Sequence, residues 1–113
     1  MSIPSDIIRG HTDTIILKEL MHGDNYGYKI NRAIQEKSKN MYELKEATLY
    51  TAFRRLEESG YINSYWGDEA TGARRRYYSI TQYGKQEYER LKTEWNEAKK
   101  IIDILIFGED LIL

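Results

Sequence analysis

Residues 46–62 read EATLYTAFRRLEESGYI, and residues 64–81 read SYWGDEATGARRRYYSIT. In the first stretch Leu49, Ala52, Phe53 and Leu56 recur at helical spacing and stop at Gly60, so a helix is predicted from about Lys45 to Ser59. In the second, the runs YINSYW and RRRYYSI are rich in aromatic and branched residues and flank the loop GDEATGA. That pattern predicts a β-hairpin with a long tip. Arg74, Arg75 and Arg76 stand at its return, although the chain as a whole has 17 Lys+Arg, 18 Asp+Glu and a formal net charge of -1.

Working outward, Pro4 and Ser5 look like a helix start, with Asp6 in the first turn. Ile8, Ile15, Ile16, Leu17, Leu20 and Met21 continue at near-helical spacing up to Gly23, predicting one unbroken helix. Asp24 and Asn25 can cap a second helix whose apolar positions are Tyr26, Ile30, Ala33 and Ile34. After the hairpin, Thr81 can cap a last helix reaching about Phe107. On it Tyr88, Leu91, Trp95, Ala98, Ile102 and Leu105 follow an a/d heptad spacing. So small a domain offers such a long seam nothing to lie on, which predicts a homodimer with those six residues in its interface.

The order helix, helix, helix, hairpin, long helix is that of a winged helix-turn-helix. The fold class is therefore α+β, mostly α, with a DNA-binding unit over residues 1–81 and a C-terminal dimerisation helix over residues 82–113, packed as one compact unit. In this architecture the third helix enters the DNA major groove and the hairpin reaches the backbone or the minor groove. The outward face of the third helix carries Ala47, Thr51, Arg54 and Glu58, flanked by Thr48, Tyr50 and Arg55. Small and hydroxyl-bearing residues allow close approach to base edges, and the arginines can grip phosphates or pair with guanine. Arg74, Arg75 and Arg76 suit phosphates and narrow minor grooves. Cross-strand pairing with Asp68 and Glu69 is the competing use for the triplet.

Other classes find little support. There are no cysteines, so disulfides and thiolate metal sites are excluded and a cytoplasmic location is the default expectation. No apolar run approaches the roughly 20 residues of a membrane helix, and residues 1–10 do not read as a secretory signal. No nucleophile motif, HExxH, Gly-rich phosphate loop or His–carboxylate cluster is present, so neither catalysis nor a metal or other cofactor is expected. A winged-helix module for protein or RNA interaction, without operator specificity, is the alternative to a DNA-binding regulator.

The motifs quoted above resemble the PadR family of transcriptional regulators over nearly the whole chain. Its pattern is matched at Leu49–Tyr50, Arg55–Leu56–Glu57, Gly60, Ile62, Gly72, Arg75–Arg76, Tyr77–Tyr78, Thr81 and Gly84, and Asp24–Ile30 fits the start of the second helix. The short chain with a single long last helix is similar to the small subfamily, which includes dimeric repressors of multidrug-export genes. The resemblance implies a homodimeric repressor on a pseudo-palindromic double-stranded DNA operator. By their position on the second helix, Tyr26, Tyr28 and Lys29 are candidate backbone contacts, with a core or solvated role as the equal alternative. The resemblance also implies a small aromatic effector stacked on Trp95 at the dimer interface, with Ile7, His11 and Thr14 of the partner's first helix completing the walls. Lys99, four residues after Trp95, stands where a pocket for cationic drugs would offer a carboxylate. A neutral or anionic aromatic compound is therefore expected at least as readily as a cationic one.

Overall fold

The computed structural model describes residues 5–68 and 74–108. The hairpin tip at 69–73 and the end of the apolar tail GEDLIL lie outside the described residues. The elements are α1 (Ser5–Ile8), a 3₁₀ turn (Arg9–His11), α2 (Thr12–Leu20), β1 (Asn25–Tyr26), α3 (Gly27–Lys37), α4 (Glu46–Glu58), β2 (Ile62–Trp66), β3 (Arg76–Ile80) and α5 (Gln82–Phe107).

The predicted inward stripe of α4 is the centre of the core. Leu49, Ala52, Phe53 and Leu56 are all buried. They pack with Ile16, Leu17 and Leu20 of α2, Ile30 and Ile34 of α3, Leu44, Ile62 and Tyr78. Phe53 and Tyr78 stack with ring centroids 3.9 Å apart, joining α4 to the sheet, and burial raises the Tyr78 phenol pKa. Asn31 of α3 locks the approach to α4. Its amide donates to the Leu44 carbonyl at 2.7 Å, and its side-chain oxygen accepts from the Leu44 N–H at 2.9 Å.

Helix α4 ends as its sequence requires. Gly60 has φ +83°, the Gly60 N–H donates to the Glu57 carbonyl and the Tyr61 N–H to the Leu56 carbonyl. This is the paired hydrogen bonding of a Schellman motif, which needs a left-handed residue at the first position past the cap.

Two predicted boundaries change. The first helix is not continuous: its hydrogen bonding tightens to a 3₁₀ turn over Arg9–His11, at Gly10, where helix propensity is low. Neither Asp24 nor Asn25 caps the second helix: Tyr26 is its N-cap residue, without a side-chain hydrogen bond, and Asn25 and Tyr26 are extended. They form β1, which pairs antiparallel with β3 in the register Asn25↔Tyr78 and Tyr26↔Tyr77. The sheet order is β1-β3-β2. Tertiary pairing with the hairpin outweighs the local capping signal at these two positions.

Helix α5 starts where expected, with the Thr81 hydroxyl accepting from the Gly84 N–H at 2.9 Å. The seam divides. Tyr88 is buried in the chain's own core and Leu91 packs against it. The expectation that the whole seam requires a second chain is therefore corrected for its first turn, because α2 lies against α5 there. Further along, Trp95, Ile102 and Leu105 are exposed, as are Ile101, Ile106 and Phe107. No helix among the described residues is long and apolar enough to cross a membrane.

Candidate nucleic-acid interface

The side of α4 opposite the core presents Ala47, Thr48, Thr51, Arg54 and Glu58, all exposed. Arg54 has no partner among the described residues, so its guanidinium is available. Arg55 is not. Its guanidinium is bound by the Asp13 carboxylate of α2, which raises the Arg55 pKa further. This ties α4 to α2, so Arg55 is already paired with Asp13 rather than free. Asp13 and its neighbours on α2 carried no sequence signal for this role beyond their charge.

Beside this face lies a groove of roughly 360 Å³ lined by Arg9, Thr12, Ala47, Thr48, Thr51 and Arg55. Arg9 pairs with Asp6 one turn earlier.

Tyr50 is half exposed, and its ring lies edge-on to Phe53 at 5.5 Å. It covers Gly27, the first residue of α3: a Cβ built there would stand 2.9 Å from Tyr50 Cζ. The obstruction is the far end of a flexible side chain. Gly27→Ala is therefore expected to cost about 1 kcal/mol or less in denaturant unfolding, while displacing Tyr50 and weakening DNA binding. Unchanged binding would show that the Tyr50 position is immaterial.

The wing does not present its arginines as one patch. Alternation along β3 sends neighbouring side chains to opposite faces. Arg75 lies over the Tyr26 ring, 4.8 Å from its centroid. On that face Tyr26 and Tyr77 meet edge-on at 5.4 Å, Tyr77 and Tyr65 stack at 5.7 Å, and the Tyr65 hydroxyl donates to Asp24 at 2.7 Å. That hydrogen bond to a carboxylate raises the Tyr65 pKa. Arg74 and Arg76 lie against Trp66, on the other face. Asp68 is described and Glu69 is not, so cross-strand pairing with Glu69 lies outside the described residues. Tyr26 is held in this aromatic ladder, and Lys29 is exposed on α3.

Trp95 lines a second, mainly apolar cleft of roughly 330 Å³ with Ile7, Ile8, His11, Thr14, Ile15 and Lys92. The His11 and Trp95 rings meet at 4.5 Å and 65°. The three predicted wall residues Ile7, His11 and Thr14 are thus brought to Trp95 within one chain. The cation on the rim is Lys92. Lys99 is exposed and does not line the cleft, because it lies a turn beyond Trp95 on α5.

A recognition-type helix, a three-stranded wing and a long terminal helix in this order agree with the sequence comparison. The sequence profile of the transcriptional regulator PadR-like family matches residues 16–90. This chain belongs to the PadR-like family. An uncharacterized Lysinibacillus sphaericus protein is 46% identical over 106 residues, covering 94% of this chain and 97% of that one. A transcriptional regulator from Clostridium thermocellum is 49% identical, with a TM-score of 0.85 over 92% of this chain and 98% of its own. A PadR family transcription regulator from Clostridium difficile is 37% identical, with a TM-score of 0.73 over 85% and 98% of the two chains. Membership in this PadR family makes the chain a DNA-binding transcriptional regulator of winged-helix fold, not one of a family of enzymes.

Proposed function

We propose that this protein is a cytoplasmic homodimeric repressor that binds a pseudo-palindromic double-stranded operator. Residues 1–81 supply the DNA contacts and residues 82–113 the dimerisation helix. The observation that carries the reading is the exposed α4 face of Ala47, Thr48, Thr51 and Arg54 beside a wing bearing three arginines. Thr48, Thr51 and Arg54 meet base edges, and Arg74, Arg75 and Arg76 meet phosphates or the minor groove. Tyr26 and Lys29 stand near enough to the wing and the start of α3 to add backbone contacts. Arg55 contributes by holding α4 on Asp13.

The exposed end of the α5 seam, Ala98 to Leu105, packs on a second copy. A small neutral or anionic aromatic compound in the Trp95 cleft relieves repression. The apolar walls and the Lys92 ammonium support that chemistry, since no carboxylate among the described residues lines the cleft.

The test is a gel shift on the DNA upstream of the protein's own coding sequence, at two salt concentrations, with unrelated DNA as competitor. Replacing Arg74, Arg75 and Arg76 together with alanine is expected to weaken all sequences about equally. It should also lower the slope of log affinity against log salt by about 0.9 for each phosphate no longer neutralised. Thr51→Ala should instead change the preference between sequences. An unaltered salt slope in the triple variant would remove the wing from the interface.

A further inference from the structure

Trp66 is an anomaly in this molecule. It is a tryptophan near the wing tip, 52% exposed and outside the core, so burial does not account for it. Its place is set by the hairpin register. Trp66 faces Arg76 directly across the strands, and Arg74, two residues before Arg76, emerges on the same face. Both guanidinium carbons lie 5.2 Å from the indole centroid. Arg76 Nη2 also donates to Ser64 Oγ at 2.6 Å, and Ser64 Oγ donates to Glu57 Oε2 at 2.6 Å. Glu57 stands in the last turn of α4. A chain of contacts thus runs from the recognition helix through Ser64 and Arg76 to Trp66 and Arg74.

A guanidinium stacked on an indole uses its flat face and keeps its N–H donors at its own edge; Arg76 gives one of them to Ser64, and its others can meet phosphate oxygens. Stacking also removes rotamer freedom that would otherwise be lost on binding.

We infer that Trp66 is a positioning residue of the DNA interface: it presents Arg74 and Arg76 to the phosphates of a duplex, at a place fixed relative to α4 by Ser64 and Glu57. The inference rests on the DNA-binding reading above, and its test separates the two.

The experiment is a double-mutant cycle between Trp66→Leu and the pair Arg74→Gln, Arg76→Gln, measuring dissociation constants for the upstream duplex and for an unrelated duplex at low salt. Trp66→Leu is expected to weaken both duplexes about fivefold to tenfold. In the double-glutamine background the same change should matter less than about twofold, because there is nothing left to position. Trp66→Phe should restore most of the loss, which also covers the case that the leucine variant folds poorly. Equal losses in both backgrounds, or none in either, overturn the inference.

A second arm needs no DNA. In a Trp95→Phe protein Trp66 is the only tryptophan, and acrylamide quenching of its fluorescence should rise when Arg74 and Arg76 become glutamine. Unchanged quenching shows that the guanidiniums do not cover the indole and overturns the inference. Rising quenching in a protein that binds neither duplex, even at low salt, leaves the stacking intact and overturns the DNA-binding reading, and with it the presenting role.

Discussion

Lysine at both Ile102 and Leu105 is expected to give a folded monomer with at least about a hundredfold weaker hold on a two-half-site operator. Leu105 is 78% exposed and Ile102 45%, and neither belongs to the buried core of its own chain. Around them Ile101, Ile106 and Phe107 are also exposed, an apolar surface of a kind that marks an interface. Burying one such side chain contributes about 1.5–3 kcal/mol, and two-fold symmetry counts each residue twice. Four lysines at the centre of that patch would reverse most of the gain. Operator affinity falls with it, because two half-sites held by one dimer bind at high effective concentration and two monomers do not. Light scattering gives the mass, a thermal melt shows the fold, and a gel shift reads the operator. Leu91 is left alone because it packs on the core. A double-lysine variant of unchanged dimer mass would place the interface elsewhere.

Gly84→Ala is expected to lower stability by about 3 kcal/mol or more, or to prevent folding. Gly84 is buried at the start of α5, in the turn that Thr81 caps. An added Cβ would fall on the Tyr61 carbonyl oxygen and stand 2.8 Å from Ile80 Cγ1. The carbonyl cannot turn aside: it accepts the Thr81 N–H at 3.0 Å. Overpacking against immobile backbone belongs to the severe class of substitutions. Gly27→Ala is the contrast, since there only the Tyr50 side chain has to move. Denaturant midpoints for the two variants check this, and equal midpoints would contradict it.

The difference between these glycines shows what the sequence can and cannot reveal. Helix α4, its inward stripe, its stop at Gly60, the hairpin and the Thr81 cap are all legible, because each depends on residues within one or two turns of one another. The split of the first helix is legible only in hindsight, at Gly10. Strand β1 is hidden, since two residues have no period and Asn25 reads as a cap until β3 is placed beside it. The same holds at the candidate site. Thr48, Thr51 and Arg54 follow from the face of one helix. The capture of Arg55 by Asp13 spans 42 positions in sequence, and no local pattern reports it. The gathering of Ile7, His11 and Thr14 onto Trp95 is expected in composition, but their meeting within one chain is not legible locally. Trp66 is legible only once the register is known, since a shift of one residue would set it opposite Tyr77 instead of Arg76.

The two residues of β1 have a mechanical consequence. They tie the wing's second strand to the entry of α3, while Ser64 and Glu57 tie its first strand to the end of α4. The base of the wing is thereby braced from both sides of the helix-turn-helix. On a duplex, inserting one base pair between the stretch under α4 and the stretch under the wing shifts the second by about 3.4 Å and turns it by about 34°. A hinged wing would absorb that step. On the proposed reading, this braced one would make the spacing within each half-site count as the bases themselves do.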